Sequence, residues 1–341
     1  MGRPAALRPD LRLVDVSSTP APSTGSAALG TPTSTLDRLR DRWTWTAVVA
    51  NLVGQIAIIV TGGAVRLTGS GLGCSTWPEC EPGQFTPQVH DATSIHPFIE
   101  FGNRTVSGVL VVVALVVALL VTFDRRRPAA YRRLGLVPVV GVLVQAVIGG
   151  ITVLVDLHPA IVGSHLLISM ALVAFSTWLV VRTREGDGPA VPLVDRTTRT
   201  LVRVLVALTV AVLVLGVVVT GAGPHSGDDE VGYRFDVDPW LMAKLHAASV
   251  WAFVAVLVAV LVLLRRRGVS GRPWTAALVL LGVTLGQGLV GYVQLFTGLP
   301  IGLVNLHMLG AALLASAVTF FVGSLRTRAT VAAAEPVPTT A

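Results

Sequence analysis

Three histidines sit where a chain can least afford a polar side chain. His165, His246 and His307 each fall five or six residues inside one end of a long apolar run, and an ionisable group placed there is costly unless it has a partner or a task. His246 and His307 belong to the second and fourth apolar runs of the second half, and helix bundles hold cofactors between facing side chains of this kind. Two imidazoles at one depth suit the two axial positions of a haem iron. Zinc and copper suit them less, because no third or fourth His, Cys or carboxylate shares that depth in this half. For one histidine alone, a hydrogen bond to a neighbouring helix is the plainer explanation.

An internal repeat weighs against the plainer explanation. Gln145-Ala-Val-Ile-Gly149 precedes His165 as Gln287-Gly-Leu-Val-Gly291 precedes His307, and one offset of 142 residues relates Gln, Gly and His alike. Earlier in each half, Thr68-Gly-Ser-Gly71 resembles Thr220-Gly-Ala-Gly223, and Asn103 aligns with His246. The first half therefore has one imidazole where the second has two. It also has Glu100, three residues before Asn103 on the same helical face, where the second half has Ala243. A carboxylate in one pocket and not its twin points to chemistry in the first and a permanent cofactor in the second. The structural alternative for Glu100 is an ion pair with Arg104 or a hydrogen bond to His96.

The elements that must position these residues are membrane spans. Of 341 residues, 52% are hydrophobic and 13% charged, with a mean hydropathy of +0.72, whereas a soluble domain carries about 25% charged residues. Apolar segments at about 43–63, 97–123, 134–155, 160–181, 201–221, 240–264, 274–296 and 301–325 are each long enough to cross roughly 30 Å of hydrocarbon as a helix. Residues 1 to about 36, rich in Pro, Ser, Thr and Ala, read as a disordered tail, and 326–341 as a second tail. The net charge of +7 does not indicate nucleic acid, because the arginines cluster in alternate connections, as topology signals do. Arg38, Arg40 and Arg42, then Arg125–Arg127, Arg132 and Arg133, mark one side. Arg182, Arg184, Arg196 and Arg199, then Arg265–Arg267, Arg272, Arg326 and Arg328, mark the same side. The intervening long loops carry Glu79, Glu81, Asp91, Asp228, Asp229 and Glu230. Both termini are expected in the cytoplasm of a cell (plasma) membrane protein. Four spans per half is an even number, so the repeats share an orientation. The expected fold is an all-α integral membrane protein, its eight transmembrane helices forming two pseudo-symmetric four-helix bundles, 43–181 and 201–325.

Cys74 and Cys80 are the only cysteines and share the first outer loop, where an oxidising compartment favours a disulfide. No Cys-x-x-Cys-His is present, so covalent haem attachment is not indicated. Gly69-Ser-Gly71-Leu-Gly73 lacks the βαβ surroundings of a dinucleotide fingerprint.

Taken in order, these motifs resemble the haem A synthase family over roughly residues 43–325. The resemblance rests on Val65-Arg66-Leu-Thr-Gly-Ser-Gly-Leu-Gly-Cys74 with Trp77-Pro78 before Cys80, Glu100-Phe-Gly-Asn-Arg104 and Gly163-Ser-His165. Thr220-Gly-Ala-Gly-Pro-His225-Ser-Gly-Asp228, Lys244-Leu-His246 and Asn305-Leu-His307 complete it. It implies oxidation of the C8 methyl of haem O to the formyl group of haem A, for cytochrome oxidase. It also implies haem b on His246 and His307, and substrate haem in the first bundle with His165 as iron ligand. Glu100 is then the carboxylate near the reacting methyl, and the cysteine pair matches Cys74 and Cys80. From their own positions at helix ends, Arg66 and Arg104 are candidates to pair with haem propionates at the outer surface, the alternative being that they reach to the interface as arginines at membrane helix ends do. Implied partners are haem O, a haem O synthase and the cytochrome oxidase assembly.

Two departures stand out. Many family members have a histidine where this chain has Asn103, so one side of the substrate iron is expected to be open or weakly filled. Some members also carry a second cysteine pair in the loop at 222–239, where this chain has none, so other contacts must hold that loop. A di-haem electron carrier, the first rival, requires a second bis-His pair, which Asn103 denies. A transporter requires broken helices with polar groups at the midplane, whereas the polar groups here gather near the outer ends.

Overall fold

The computed structural model describes residues 35–88, 94–225, 227–228 and 230–329. The tail expected over residues 1–34, most of the second tail, and Asp91 and Asp229 lie outside the described residues. Among the described residues, eight helical stretches are long and apolar enough to cross a membrane. They are α1 (Thr35–Leu67), α2 (His96–Thr122), the stretch 129–154, α5 (Pro159–Arg184), α6 (Arg196–Ala222), α7 (Pro239–Arg266), α8 (Arg272–Phe296) and α9 (Ile301–Ser324). The stretch 129–154 comprises α3 (Ala129–Arg132), a tight 3-10 turn and α4 (Val137–Leu154). The first helix starts at Thr35 and so takes in the last two residues assigned to the tail.

Local chemistry sets the helix starts. Asp195 caps α6 by accepting from the Thr197 and Thr198 amides, and Asp238 caps α7 through the Trp240 amide, each satisfying donors that no helical carbonyl reaches. Proline stands in the first turn of α2, α4, α5, α7 and α8, where its missing N–H costs nothing. The repeat extends to backbone conformation. Leu157 and Leu299 close the α4–α5 and α8–α9 turns with φ of 58° and 59°, and each amide bonds a carbonyl five residues back, Thr152 and Gln294. A branched side chain in the left-handed region is strained, and the strain recurs at matching positions.

The helices pair both within and between the two halves of the chain. In the first, α1 packs on α2, α2 on α4, α4 on α5 and α5 on α1; in the second, α6 packs on α7, α7 on α8, α8 on α9 and α9 on α6. Between halves, α5 meets α9, α1 meets α9, and α5 meets α6. Exchanging the halves turns the second of these contacts into the third and leaves the first unchanged, as a two-fold relation requires. The seam is apolar, built on Ile59, Met170, Val173 and Ala312 with Met308 and Leu213 against them. Thr177 donates to Ser316 across it at 2.9 Å. Many large apolar side chains on the outer faces, such as Val109, Leu143 and Leu289, are exposed, as lipid-facing positions are.

The arginine-rich end, here the inner end, is laced by ion pairs. Arg126 reaches Asp37, Asp41 and Asp124. Burial pushes the Asp124 carboxyl up, but hydrogen bonds and charge from Arg126 outweigh it and hold the group below the usual carboxylate range. Arg326–Arg328, expected in the tail, instead form a strand (β2) antiparallel to Ala190–Pro192 (β1) in the linker between halves. Arginine pairing explains the difference: buried Glu185 accepts from Arg182 at 2.8 Å and from Arg326 at 3.1 Å, which pins the end of α9 to the linker. Removing one partner of a buried ion pair leaves the other uncompensated. Glu185→Ala should therefore lower stability by about 3 kcal/mol. Thermal unfolding in detergent checks this, and a melting curve unchanged from wild type would show the cluster to be energetically neutral.

Candidate functional site

The three histidines and Asn103 stand six or seven residues from the outer starts of α5, α9, α7 and α2, about 10 Å into each helix. In the second bundle the rings of His246 and His307 face each other with centroids 6.4 Å apart and planes at 73°. A metal–nitrogen bond of about 2 Å, with about 1 Å more from nitrogen to ring centre, would place two imidazoles on one iron roughly 6 Å apart. The Nδ1 of His246 lies 3.1 Å from the Val212 carbonyl. That bond puts the proton on Nδ1 and leaves the Nε2 lone pair for a metal, the arrangement of metal-binding histidines. The buried Nδ1 of His307 has no partner. Among the described residues no cluster of three or more His, Cys, Asp and Glu exists, so the donor set suits a group needing two axial ligands.

Two devices fix the imidazoles. Gln145 donates from α4 to the His165 carbonyl at 3.0 Å, and Gln287 donates from α8 to the His307 carbonyl at 2.7 Å. Glycines then make room for the rings. A Cβ at Gly149 would stand 3.4 Å from the His165 ring, one at Gly291 3.1 Å from His307, and one at Gly216 3.2 Å from His246. The matched Gln-to-Gly spacing was legible; the hydrogen bond that gives it meaning was not.

In the first bundle His165 is half-buried with its ring against Gly149, and its Nδ1 is buried without a partner. Asn103 takes the place of a second imidazole. Its Oδ1 accepts from Thr61 of α1 at 2.7 Å, and its amide nitrogen has no lone pair to give a metal. Thr61 carried no sequence signal of this role.

Glu100 is buried, and both of its oxygens are taken. Oε2 accepts from the Cys74 amide at 2.7 Å, and Oε1 pairs with Arg104 at 2.5 Å. Arg104 in turn donates to the carbonyls of Thr76, Pro78 and Glu79. The ion pair weighed from sequence is therefore present, while His96 bonds Ser70 instead, at 2.8 Å. Cys74 and Cys80 form a disulfide and are fully buried. The loop they close sends Trp77 across the bundle onto Gly150 of α4. Glu100 and Arg104 thus seat the first outer loop over the mouth of the bundle.

The second outer loop lacks cysteines, and Arg234 holds it. Its guanidinium donates to the carbonyls of Gly223, Pro224, Val231 and Tyr233. Nothing in the sequence singled Arg234 out. Arg66 joins the two loops: from the end of α1 it donates to His225 at 2.9 Å and Thr220 at 3.1 Å in the second half. The Gly71 amide adds a bond to the Gly227 carbonyl at 2.7 Å.

A family model described as cytochrome oxidase assembly protein, COX15-CtaA, matches residues 42–224. Proteins named Heme A synthase are similar along most of their length. The one from Bacillus mycoides is 26% identical over 306 residues, covering 85% of this chain and 95% of its own. That from Shewanella oneidensis is 26% identical over 303 residues, covering 77% and 91%. That from Alkalihalophilus pseudofirmus is 25% identical over 286 residues, covering 80% and 94%.

Because Cys74 and Cys80 are bonded and buried, neither should react with a maleimide until the protein is reduced and its outer loop released. Labelling of the untreated protein, followed by mass spectrometry, checks this; ready modification without reductant would rule the disulfide out.

Proposed function

Since the chain belongs to the COX15-CtaA family of cytochrome oxidase assembly proteins, we propose that it is a haem A synthase that oxidises the C8 methyl group of haem O to the formyl group of haem A. The observation that carries the reading is the unequal pair of sites. Two imidazoles face each other at 6.4 Å in one bundle, while the repeat-related site has one imidazole, an amide held by Thr61 and a carboxylate at its rim. The named relatives, matched over 91–95% of their length, point the same way.

His246 and His307 are the residues that would hold a haem b. When bound there it would supply one-electron transfer. The chain's own groups divide the remaining work. His165 anchors the iron of the substrate haem O, and Asn103 leaves the opposite side without an imidazole. Glu100, fixed by Cys74 and Arg104, holds a carboxylate at the outer rim, where it can stabilise developing positive charge or pass a proton. Arg66 and Arg104, already committed to loop carbonyls, set the loops that cover the propionate end. Two hydroxylations of the methyl with oxygen from water, each passing two electrons to an external acceptor and releasing two protons, give a geminal diol that loses water to form the aldehyde. Arginines at one end and acids in the opposite loops support a location in the cell membrane with both termini in the cytoplasm.

The test is production in a host that makes haem O but no haem A, with the non-covalent haems extracted and identified by mass. Haem A or its hydroxylated precursor is expected. Haem b alone, with haem O and an electron acceptor both shown to be present, would favour a di-haem electron carrier. In the same host His307→Ala should abolish the low-spin bis-imidazole spectrum. Glu100→Gln, which keeps a group able to accept from the Cys74 amide, should retain that spectrum while lowering product at least about 100-fold. Wild-type product from Glu100→Gln would remove the carboxylate from the chemistry.

A further inference from the structure

Gln55 of α1 is 2% exposed, and its Nε2 is buried without a hydrogen-bond partner. An amide N–H left unpaired inside a membrane bundle is costly, so its retention calls for a ligand. With 3.6 residues to the turn, Gln55 points between the directions of Ile58 and Ile59. Ile58 packs on Leu110, Ala114 and Val142 of α2 and α4, and Ile59 on Met170 and Val173 of α5. Gln55 therefore faces the interior of the first bundle.

Its depth is fixed by the contacts of its neighbours. Gln55 stands six residues before Thr61, the partner of Asn103, and so about 9 Å inward of it. Leu110 is level with it, since a Cβ on neighbouring Gly54 would stand 2.8 Å from the Leu110 side chain. Leu172 is level too: it lies four residues from Ser176, which accepts from Asn51, and it packs on Gly141, next to Val142. Gln55, Leu110, Val142 and Leu172 thus form one buried layer, a floor about 10 Å inward of His165. Three of its four side chains are apolar.

Among the described residues, the matching layer of the second bundle has no unpaired donor. Gly63 lies against Asn305 as Val217 lies against Gly163, one contact repeated, which relates α1 to α6 by 154 residues within the membrane. Gln55 then corresponds to Thr209. Under the offsets that align Asn103 with His246 and Gln145 with Gln287, the other three positions become Phe253, Thr284 and Leu314. Thr209 donates to the Leu205 carbonyl at 2.9 Å and Thr284 to the Leu280 carbonyl at 2.7 Å. Both hydroxyl protons are spent on their own helices.

The two haems of the functional reading differ in one substituent. Haem b carries a vinyl group at C2, where haem O carries a hydroxyalkyl group that continues into a long apolar tail. That substituent and the propionates leave opposite halves of the macrocycle, so propionates at the outer loops put the hydroxyl at the inward edge, above the floor. We propose that Gln55 donates a hydrogen bond to this hydroxyl and so selects haem O over haem b in the first bundle. The proposal rests on the functional reading above and adds to it the residue that discriminates the substrate. A site built to bond a hydroxyl rejects the analogue that lacks it, because its own polar group is then left buried and unpaired. Leu110, Val142 and Leu172 meet the apolar start of the tail.

The experiment uses the full chain, produced in a host that makes haem b but no haem O and purified in detergent with its second-bundle haem. Haem O and haem b are titrated separately into the first bundle and followed by absorbance. Gln55→Met and Gln55→Leu remove the amide and leave the second bundle untouched, so its low-spin spectrum reports correct folding. Both variants should bind haem O about tenfold more weakly than wild type, as one lost hydrogen bond predicts, and haem b no more weakly. Equal weakening for the two haems would reveal a merely structural glutamine, and unchanged affinity for both would show that no bond is made; either result overturns the proposal. A wild-type protein that shows no low-spin bis-imidazole haem, or takes neither haem into its first bundle, overturns the functional reading instead.

Discussion

The bond on which the two sites depend is a side-chain amide reaching across a bundle to the backbone carbonyl of a histidine. Gln145 does this for His165 and Gln287 for His307. In hydrocarbon, a glutamine amide with no partner would be costly, so the bond fixes the rotation and depth of α4 against α5, and of α8 against α9. Each imidazole is then set by its own backbone and by a glycine that leaves space for the ring. Loss of either feature would displace the ring by more than a ligand site tolerates, because such a constellation must be held to within about half an ångström.

On this common frame, function is divided by a few differences. Where the second bundle has His246, the first has Asn103 tied to Thr61. Where the second has Ala243, the first has Glu100, engaged with Cys74 and Arg104. The loops above follow the same division. The first is closed by a disulfide, seated by an ion pair and folded over α4 through Trp77; the second is held by one guanidinium on four carbonyls. Under the proposed reading, a carboxylate that holds the loop would also stand at the reaction's edge and link loop order to chemistry, so a variant at Glu100 tests two roles at once. That is why the amide, which keeps the Cys74 contact, separates them better than alanine.

Much of this was legible in the sequence, because its strongest signals are physical necessities. A membrane span must be long and apolar, basic clusters mark one side, and a histidine in such a span stands out against its surroundings. The offset of 142 residues made the halves comparable, and comparison exposed Asn103 and Glu100. What remained hidden were contacts between residues of ordinary type in unrelated segments. Arg234 is one arginine in a polar loop, Thr61 one hydroxyl near a helix end, and Arg326–Arg328 a basic run that looked like a tail. Each acquires its role only from what the fold brings opposite to it, and no periodicity records that.

The interface between bundles argues for which particles cross it. Its core is Ile59, Met170, Val173 and Ala312, and the polar bond across it, Thr177 to Ser316, lies between two hydroxyls that satisfy each other. A proton needs a connected chain of donors and acceptors or water, and the polar groups on this interface, Asn305 against Gly63 and Thr177 with Ser316, stand about three helical turns apart on α9. Electrons need only proximity. Under the proposed reading, oxidation in the first bundle therefore separates its products: electrons can pass sideways through the seam, while protons must leave at the outer rim, where Glu100, Arg104 and the loop carbonyls stand. The clasp of Arg66 on His225 and Thr220 keeps the two bundles in the one relation that makes this separation possible.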